Sequence, residues 1–261
     1  MTAADELLVD IEDHVAVVTL NRPARLNALS SGLLDRLVDT FADLDRDSDV
    51  RVVCLAASGD RAFSAGADLQ EMGARDREGG APYLPMTGPY RNPYEVVLEC
   101  RKPTLAVLHG WVVGAGCELA LACDLRLAAV GTRLMLPESK VGLGANFGSQ
   151  MLPRLVPAGF AYEMLYFGEP VDVAVAHRMG LVNWVVPLEE LHDRARALAL
   201  TLASRAPVTL RRYKAMVQLG STLPIAAALR LDSGPSPYLS EDRREGAAAF
   251  LEKRPARWTG R

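Results

Sequence analysis

The sequence predicts an α/β fold, because stretches typical of buried strands alternate with amphipathic helices through its first half. Residues 14–21 (HVAVVTLN) and 50–57 (VRVVCLAA) are rich in β-branched and apolar residues, as buried strands are. Between them, apolar residues recur at helical spacing from Leu33 to Leu44, behind a serine that can cap the helix. The first unit of the chain is therefore predicted to be strand, helix, strand.

A second unit of the same kind follows an irregular stretch. We predict a strand over 104–113 (TLAVLHGWVV), a helix over 114–123 (GAGCELALAC) and a strand over 125–130 (LRLAAV). Before them, between Gly73 and Pro103, glycine, proline and charged residues interrupt every pattern except one short helical stretch, YEVVLEC. We expect the first part of this stretch to be a long irregular loop, and such loops are commonly functional.

The last part of the sequence is mainly helical. Helical patterns occur around 151–156 (MLPRLV) and 158–167 (AGFAYEMLYF), and a helix followed by a short strand fits 171–187. Beyond Pro187 the helical pattern continues almost to the end of the chain. A tail without strands cannot extend a sheet, so its apolar faces need the core of this subunit or the surface of a neighbouring one.

The composition is that of a globular protein with no nucleic-acid surface. The chain has 261 residues, of which 49% are hydrophobic, so it can bury a large core. Its formal net charge is -3, with acids and bases interleaved, which argues against nucleic acid as a partner. No apolar run approaches the roughly 18 residues of a membrane span, and the first residues lack a secretory signal. We therefore expect a cytoplasmic protein with no membrane partner.

Cysteine and histidine spacing indicates neither a metal site nor a disulfide framework. The cysteines form no CxxC pair and the four histidines lie far apart in the sequence. We expect reduced cysteines, mostly within the core, at positions Cys54, Cys100, Cys117 and Cys123.

Two short stretches share a design that can bind an anion. Residues 64–68 (SAGAD) and 114–118 (GAGCE) each follow a predicted strand and lead small residues into a predicted helix N-terminus. Backbone N–H groups there lack intrahelical partners and lie at the positive end of the helix dipole, so two of them could hold one oxyanion. Taken singly, each stretch is also explained as a tight turn packed by small residues. Neither has the glycine spacing of a dinucleotide-binding loop.

Acidic and nucleophilic residues near these turns are the candidates for catalysis. Glu118 can be a first-turn acid favoured by the helix dipole, but its apolar neighbours suggest a chemical role. Glu138, in LPESKVG, is likewise either a loop acid or a catalytic group. Asp68 and Asp124 suit capping and packing. Ser64 lies near a GxSxG-like pattern, yet the first glycine is missing and no histidine can be placed beside it.

Three motifs in order resemble the crotonase superfamily, specifically the enoyl-CoA hydratases. They are FSAGADLQEM (63–72), HGWVVGAGCELALACDLRLA (109–128) and LPESKVGLG (136–144), and the resemblance covers nearly the whole chain. It implies a crotonase-like spiral of strand, strand, helix (ββα) repeats over residues 1–195 that carries catalysis. It also implies a helical C-terminal region, 196–261, for trimerisation and for covering the CoA site. The family forms homotrimers and commonly hexamers.

The resemblance assigns roles to the candidate residues. The N–H groups of Ala67 and Ala115 match the oxyanion hole, which would polarise an acyl-CoA thioester. Glu118 and Glu138 match the two catalytic glutamates, which hold the water that adds across the 2,3 double bond of a 2-enoyl-CoA to give a 3-hydroxyacyl-CoA. Two carboxylates supply the two proton transfers that hydration needs. Isomerisation or other enolate chemistry on an acyl-CoA, and non-catalytic acyl-CoA binding, are the alternatives.

The resemblance also implies how coenzyme A would be bound. It is part of the substrate, and no other cofactor is expected. The matching residues are Arg25 and Leu26, then Ala65, Asp68 and Leu69 around the first turn, and Phe250 and Lys253 in the tail. Gln70 replaces a lysine that is frequent in the family. The segment GLGANFGSQ departs further, since Asn146 stands where a glycine amide often helps to hold the water. The loop from Gly73 to Pro93 is expected to shape the acyl pocket.

Overall fold

The structure, a computed structural model, describes residues 6–79 and 91–261. These residues form two sheets. The strands, numbered in chain order, are β1 (Leu7–Glu12), β2 (Val15–Leu20), β3 (Val52–Ala57), β4 (Ala62–Ser64), β5 (Thr104–Leu108), β6 (Trp111–Val113), β7 (Leu125–Ala129), β8 (Arg133–Met135), β9 (Val171–Asp172) and β10 (Trp184–Val186). The larger sheet has the order β1-β2-β3-β5-β7-β10, and the smaller has the order β4-β6-β8-β9.

Helices surround both sheets. They are α1 (Ser31–Arg46), α2 (Leu69–Arg77), α3 (Pro93–Glu99), α4 (Ala115–Ala122), α5 (Asn146–Leu155), α6 (Ala158–Phe167), α7 (Val173–Arg178), α8 (Leu191–Ala203), α9 (Pro207–Gly220), α10 (Ile225–Ala228) and α11 (Glu241–Glu252). Short 3₁₀ helices accompany them, at Pro23–Arg25, Glu138–Lys140, Leu188–Glu190 and Pro237–Leu239. Ser30 caps α1, as predicted, by accepting the Leu33 N–H.

The α/β prediction is confirmed, and the spiral is visible in how successive strands are shared between the sheets. β3, β5 and β7 enter the larger sheet, and the strand that follows each of them (β4, β6 or β8) enters the smaller one before a helix begins. Pairing is parallel between β4 and β6 and between β6 and β8. The carboxyl ends of these three strands therefore lie side by side, and the turn that follows each strand reaches the same edge.

One predicted strand, 104–113, is in fact two. β5 ends at Leu108 and β6 starts at Trp111, in the other sheet. Gly110, between them, has φ 56°, and an added Cβ would lie 2.1 Å from the carbonyl oxygen of Arg61. The apolar pattern continues through this corner, so periodicity alone did not reveal it. The predicted loop from Gly73 starts later than expected, because α2 extends to Arg77, and its residues 80–90 lie outside the described part.

The central strands of the larger sheet are buried on both faces. All six residues of β3 are buried, as is typical of a covered parallel sheet. Val53 and Leu55 pack in the layer that contains α1 and α4, whereas Val52 and Cys54 pack against α8. This double layer fixes the framework from which the smaller sheet extends.

The helical tail is anchored to its own subunit. Lys214, on α9, pairs with Asp124 at 2.8 Å and donates to the Lys102 carbonyl at 3.1 Å. Arg51 donates to the carbonyl oxygen of Trp258 at 2.9 Å. The domain division at residue 195 stays a prediction, and α8 runs across that position. Among the described residues, none of the helices combines the length and apolar character needed to cross a membrane.

Candidate active site

A cavity of about 310 Å³ lies at the carboxyl ends of β4, β6 and β8. Its walls come from the turns that follow these strands and from the start of α5. The predicted oxyanion-hole residues, Ala67 and Ala115, meet the two predicted catalytic residues, Glu118 and Glu138, there. Residues about 70 positions apart in the chain are thus brought together by the parallel order of three short strands.

The first turn presents the N–H of Ala67. The Leu29 N–H donates to the Gly66 carbonyl at 2.8 Å, and the Asp68 N–H donates to the Leu29 carbonyl at 3.1 Å. Successive N–H groups of an extended chain point to opposite sides. The Ala67 N–H therefore points away from Leu29, and Ala67 itself lines the cavity.

The second turn presents the N–H of Ala115. Ala115 is the first residue of α4, so its N–H has no partner within the helix and lies at the positive end of the helix dipole. Gly66 packs against this turn: with φ 92°, an added Cβ would lie 2.9 Å from the Val113 carbonyl and 3.5 Å from the Ala115 nitrogen. The two turns are therefore in backbone contact, and both candidate amides border one cavity.

Glu118 lies on the first turn of α4 and is only 6% exposed. Its Oε1 accepts the Gly148 N–H at 2.8 Å, at the N-terminus of α5. Burial raises the pKa of Glu118 to about 7; the Gly148 N–H opposes this rise, the charge of Glu138 adds to it, and the Phe147 N–H and the Tyr94 hydroxyl oppose it. Donors thus surround Glu118, and its carboxylate is the form they favour.

Glu138 starts the 3₁₀ helix after β8 and has a different environment. Its Oε1 lies against Gly114, where an added Cβ would be 3.0 Å away. Its Oε2 is buried without a hydrogen-bond partner among the described residues. Burial raises the pKa of Glu138, and its own backbone N–H only partly opposes that rise. Burial therefore disfavours the charged form of Glu138, as it does that of Glu118.

Two carboxyl groups with unequal surroundings can divide acid and base roles. In one cavity their charges repel, so one proton shared between them is the stable arrangement. The two groups differ in their partners: donors surround Glu118, whereas Oε2 of Glu138 accepts no hydrogen bond among the described residues. With one proton between them, the site can accept a proton at one glutamate and donate one from the other, while the amides of Ala67 and Ala115 stabilise an oxyanion.

The predicted CoA-binding residues near the first turn are held by one ion-pair cluster. Asp68 is buried, caps α2 by accepting the Glu71 N–H, and pairs with Arg22 at 3.2 Å and Arg25 at 3.3 Å. Burial acts to raise the pKa of Asp68, but the Glu71 N–H and the two guanidinium groups hold it below its usual value. Asp68 therefore orients Arg25, whose side chain is 45% exposed.

Other predicted binding residues lie beside the cavity. Ala65 and Leu69 line it, and the Ala65 N–H donates to the Leu26 carbonyl at 2.9 Å. Leu26 also lines a neighbouring cleft of about 270 Å³ between residues 23–27 and 58–62. A ligand in the cavity can therefore continue along the segment that contains Arg25.

The two tail residues are not brought to this cavity within one chain. Phe250 is 83% exposed on α11, and Lys253 ends that helix in the left-handed conformation, with φ 53°. Neither residue is among the described residues that line the cavity. Their predicted contact with CoA would have to involve an adjacent subunit.

Asn146 lines the cavity as the first residue of α5. The amide that reaches Glu118 is that of Gly148, two residues later. Sequence reasoning missed both this amide and Tyr94, which is buried and lines the cavity with its ring 5.4 Å from that of Phe147. Tyr94 follows a stretch without a pattern, so no local signal indicated it. Gly148, which ends the stretch ANFG (145–148), was the sequence feature that could have indicated this amide.

No group of three or more His, Cys, Asp or Glu side chains is arranged to hold a metal ion in the part of the chain that the structure describes. The four cysteines are buried and unpaired.

Comparison with known proteins agrees with this geometry. The family model described as enoyl-CoA hydratase/isomerase matches residues 10–261. The chain belongs to the enoyl-CoA hydratase/isomerase family. It therefore belongs to the crotonase superfamily, as the sequence motifs indicated.

Individual relatives of this family member match along nearly their whole length. The short-chain-enoyl-CoA hydratase of Clostridium acetobutylicum is 34% identical over 253 residues, which are 96% of each chain. The (E)-benzylidenesuccinyl-CoA hydratase of Thauera aromatica is 35% identical and covers 97% of this chain and 98% of its own. The crystal structure of enoyl-CoA hydratase from Bacillus anthracis superposes with a TM-score of 0.88 at 31% identity, covering 98% of this chain and 100% of that one.

Proposed function

We propose that this member of the family is an enoyl-CoA hydratase that adds water across the 2,3 double bond of a 2-enoyl-CoA. The observation that carries the proposal is the meeting of two glutamates, the buried Glu118 and the half-buried Glu138, with the amides of Ala67 and Ala115 in one cavity. The relatives named as hydratases support it.

The proposed reaction gives the two glutamates different roles. The amides hold the thioester oxygen, which gains negative charge as water attacks Cβ; one such amide is worth about 2.7 to 4 kcal/mol of barrier. Glu118, the carboxylate, accepts a proton from the attacking water. Glu138, the protonated group, delivers its proton to Cα. The product is a 3-hydroxyacyl-CoA. At the end of the reaction Glu118 is protonated and Glu138 is ionised.

The test is the loss of the conjugated thioester absorbance of 2-enoyl-CoAs of several chain lengths. Glu118→Gln and Glu138→Gln should each lower kcat by about 10² to 10⁴ while acyl-CoA still binds. Glu163→Gln, an exposed glutamate on α6, is the matched control and should remain active. Faster turnover of a 3-enoyl-CoA than of its 2-enoyl isomer would refute hydration in favour of isomerisation. Tight binding without turnover of either substrate would indicate a non-catalytic binding protein.

We propose in addition that the protein assembles as a homotrimer, alone or in pairs as a hexamer. The tail carries apolar side chains that its own subunit leaves exposed: Val217 (70%), Ile225 (74%), Leu229 (71%) and Leu239 (89%). Large apolar side chains left this exposed on one subunit are commonly covered at an interface. Sedimentation analysis should give a trimer or hexamer, and Leu239→Glu should lower the assembled fraction; a monomer would refute the proposal.

Hydration as proposed uses only two carboxyl groups and two amides, so we propose that the protein needs no metal and no cofactor beyond the CoA of its substrate. Activity should survive dialysis against a chelator, and a loss restored by a metal ion would contradict this.

We also propose a cytoplasmic location. The four unpaired cysteine thiols suit a reducing compartment. Fractionation of cells that produce the protein is the test.

A further inference from the structure

Ser64 lies at the contact between the two turns of the site. Its side chain is fully buried. It packs against the first turn of α4: an added Cβ at Gly116 would lie 2.4 Å from the Ser64 Cβ and 2.6 Å from its Oγ. Ser64 therefore limits how closely α4, which carries Ala115 and Glu118, can approach the first turn.

The hydroxyl of Ser64 also connects the first turn to the segment behind it. Its Oγ donates to the Asn27 carbonyl at 2.8 Å and accepts the Gly66 N–H at 3.2 Å. Asn27 is itself buried, and its side chain donates to the carbonyls of Ser58 and Ala62, both at 2.9 Å. Ser64 thus connects the Gly66 peptide, which precedes Ala67, to the buried and hydrogen-bonded Asn27.

These two contacts give Ser64 a relation to both candidate amides. The hydrogen bond to Gly66 orients the peptide that leads to the Ala67 N–H. The packing against Gly116 sets the position of the Ala115 N–H. We propose that Ser64 is a positioning residue of the oxyanion hole, which holds the two amides at the separation that one thioester oxygen requires. The inference rests on the proposed function, since it concerns a thioester bound in that cavity.

This role replaces the nucleophile considered from the sequence. The hydroxyl hydrogen is used in the bond to the Asn27 carbonyl, and the oxygen accepts a backbone N–H. Removing the hydroxyl leaves two buried backbone groups without their partner, so the turn is expected to rearrange. A displacement of either amide weakens its bond to the oxyanion, whose strength depends on preorganised geometry.

The experiment compares Ser64→Ala with the unaltered protein in two measurements. The first is kcat and KM for a 2-enoyl-CoA. The second is the absorption spectrum of a short conjugated 2,4-dienoyl-CoA bound to excess protein, because polarisation of the thioester carbonyl moves its absorption to longer wavelength. We expect kcat to fall about tenfold or more, KM to change little, and the spectral shift to shrink.

Thr132→Val is the matched control. The Thr132 hydroxyl is also fully buried and bonds a backbone carbonyl, that of Ala129, at 2.7 Å, but it does not line the cavity. It should lose stability while keeping the spectral shift. Should Ser64→Ala not fold, Ser64→Cys keeps a side chain of similar shape with weaker hydrogen bonds, and a reduced shift is expected there too.

The outcomes separate the inference from the proposed function. A full spectral shift and unaltered kcat in the Ser64 variants would overturn the positioning role. Absence of both hydration and spectral shift in the unaltered protein would refute the proposed function itself, and the inference with it.

Discussion

The amide of Gly148 donates to Oε1 of Glu118 at 2.8 Å, so the N-terminus of α5 holds a carboxylate that α4 carries. This contact joins two successive repeats of the spiral at the cavity. It also opposes the effect of burial on Glu118, whose pKa still rises to about 7. The group is therefore set to change its charge near neutral pH.

The activity of the protein should fall on the acid side of neutrality. If ionised Glu118 is the base, protonation inactivates it, so log(kcat/KM) should decline as the pH falls below about 7. The Tyr94 hydroxyl lowers the pKa of Glu118, so Tyr94→Phe should move this decline to higher pH. Rates measured between about pH 5.5 and 9 test this; a decline that Tyr94→Phe leaves in place would contradict the assignment.

The same ionisation should cost stability. The pKa of Glu118 is 4.5 in the absence of perturbation and about 7 in the fold, so the native state binds the proton more tightly. Stability is thus highest below pH 4.5 for this group and falls as the pH rises through about 7. Glu118→Gln should therefore unfold at a higher temperature than the unaltered protein at pH 8. Its free energy of unfolding should be higher by at most about 3 kcal/mol at that pH, with a smaller gain at pH 5. Calorimetry at both pH values checks this, and equal gains would contradict it.

Gly114→Ala should impair catalysis by displacing Glu138. The new Cβ would lie 3.0 Å from Glu138 Oε1, at a residue whose φ of 51° is unfavourable for alanine. We expect a lower kcat and a stability loss of about 1 kcal/mol or more. Gly159→Ala is the control, because no atom lies within 4 Å of an added Cβ there. It should keep its activity; equal kcat in both variants would contradict the prediction.

Arg126→Met should destabilise the far end of α4. The buried guanidinium donates to the carbonyls of Leu181 and Cys123, each at 2.6 Å, and of Ala120 at 3.2 Å. Since Ala120 and Cys123 lie at the C-terminal end of α4, this cation satisfies carbonyls that the helix cannot. Their loss should cost roughly 2 to 4 kcal/mol.

Urea denaturation measures this cost. Arg46→Met is the comparison, because its ion pair with Asp43 is exposed and should contribute less than about 0.5 kcal/mol. A loss at Arg126 no larger than that at Arg46 would show that the carbonyls find other partners.

Local pattern was sufficient to predict most of the larger sheet. β2 and β3 are apolar and rich in β-branched residues, β7 is mostly apolar, and α1 carries its apolar residues at helical spacing behind Ser30, so each element is specified within its own sequence. β1 was not predicted because all but one of its residues are exposed and acids interrupt it. β4 and β8 are three residues each, too short for any periodicity to register.

The site was predicted where it depends on single motifs. Small residues leading into an acid marked the turns around Ala67 and Ala115 as candidates, and the resemblance to the family, not the local pattern, paired Glu118 with Glu138. Contacts between distant segments could not be found from the sequence. Whether Gly148 reaches Glu118, or Ser64 reaches Gly116, depends on strand order and on distances that no local pattern contains.

The parallel order of β4, β6 and β8 has a consequence for how such an enzyme can diversify. Two of the adjoining repeats contribute the amides that hold the thioester in the proposed reaction, the second of them also contributes Glu118, and Glu138 comes from the third. A substitution in the third repeat can therefore change which proton is moved, and with it the reaction, without altering the two amides. The proposed proton donor is therefore encoded in a different repeat from the two amides.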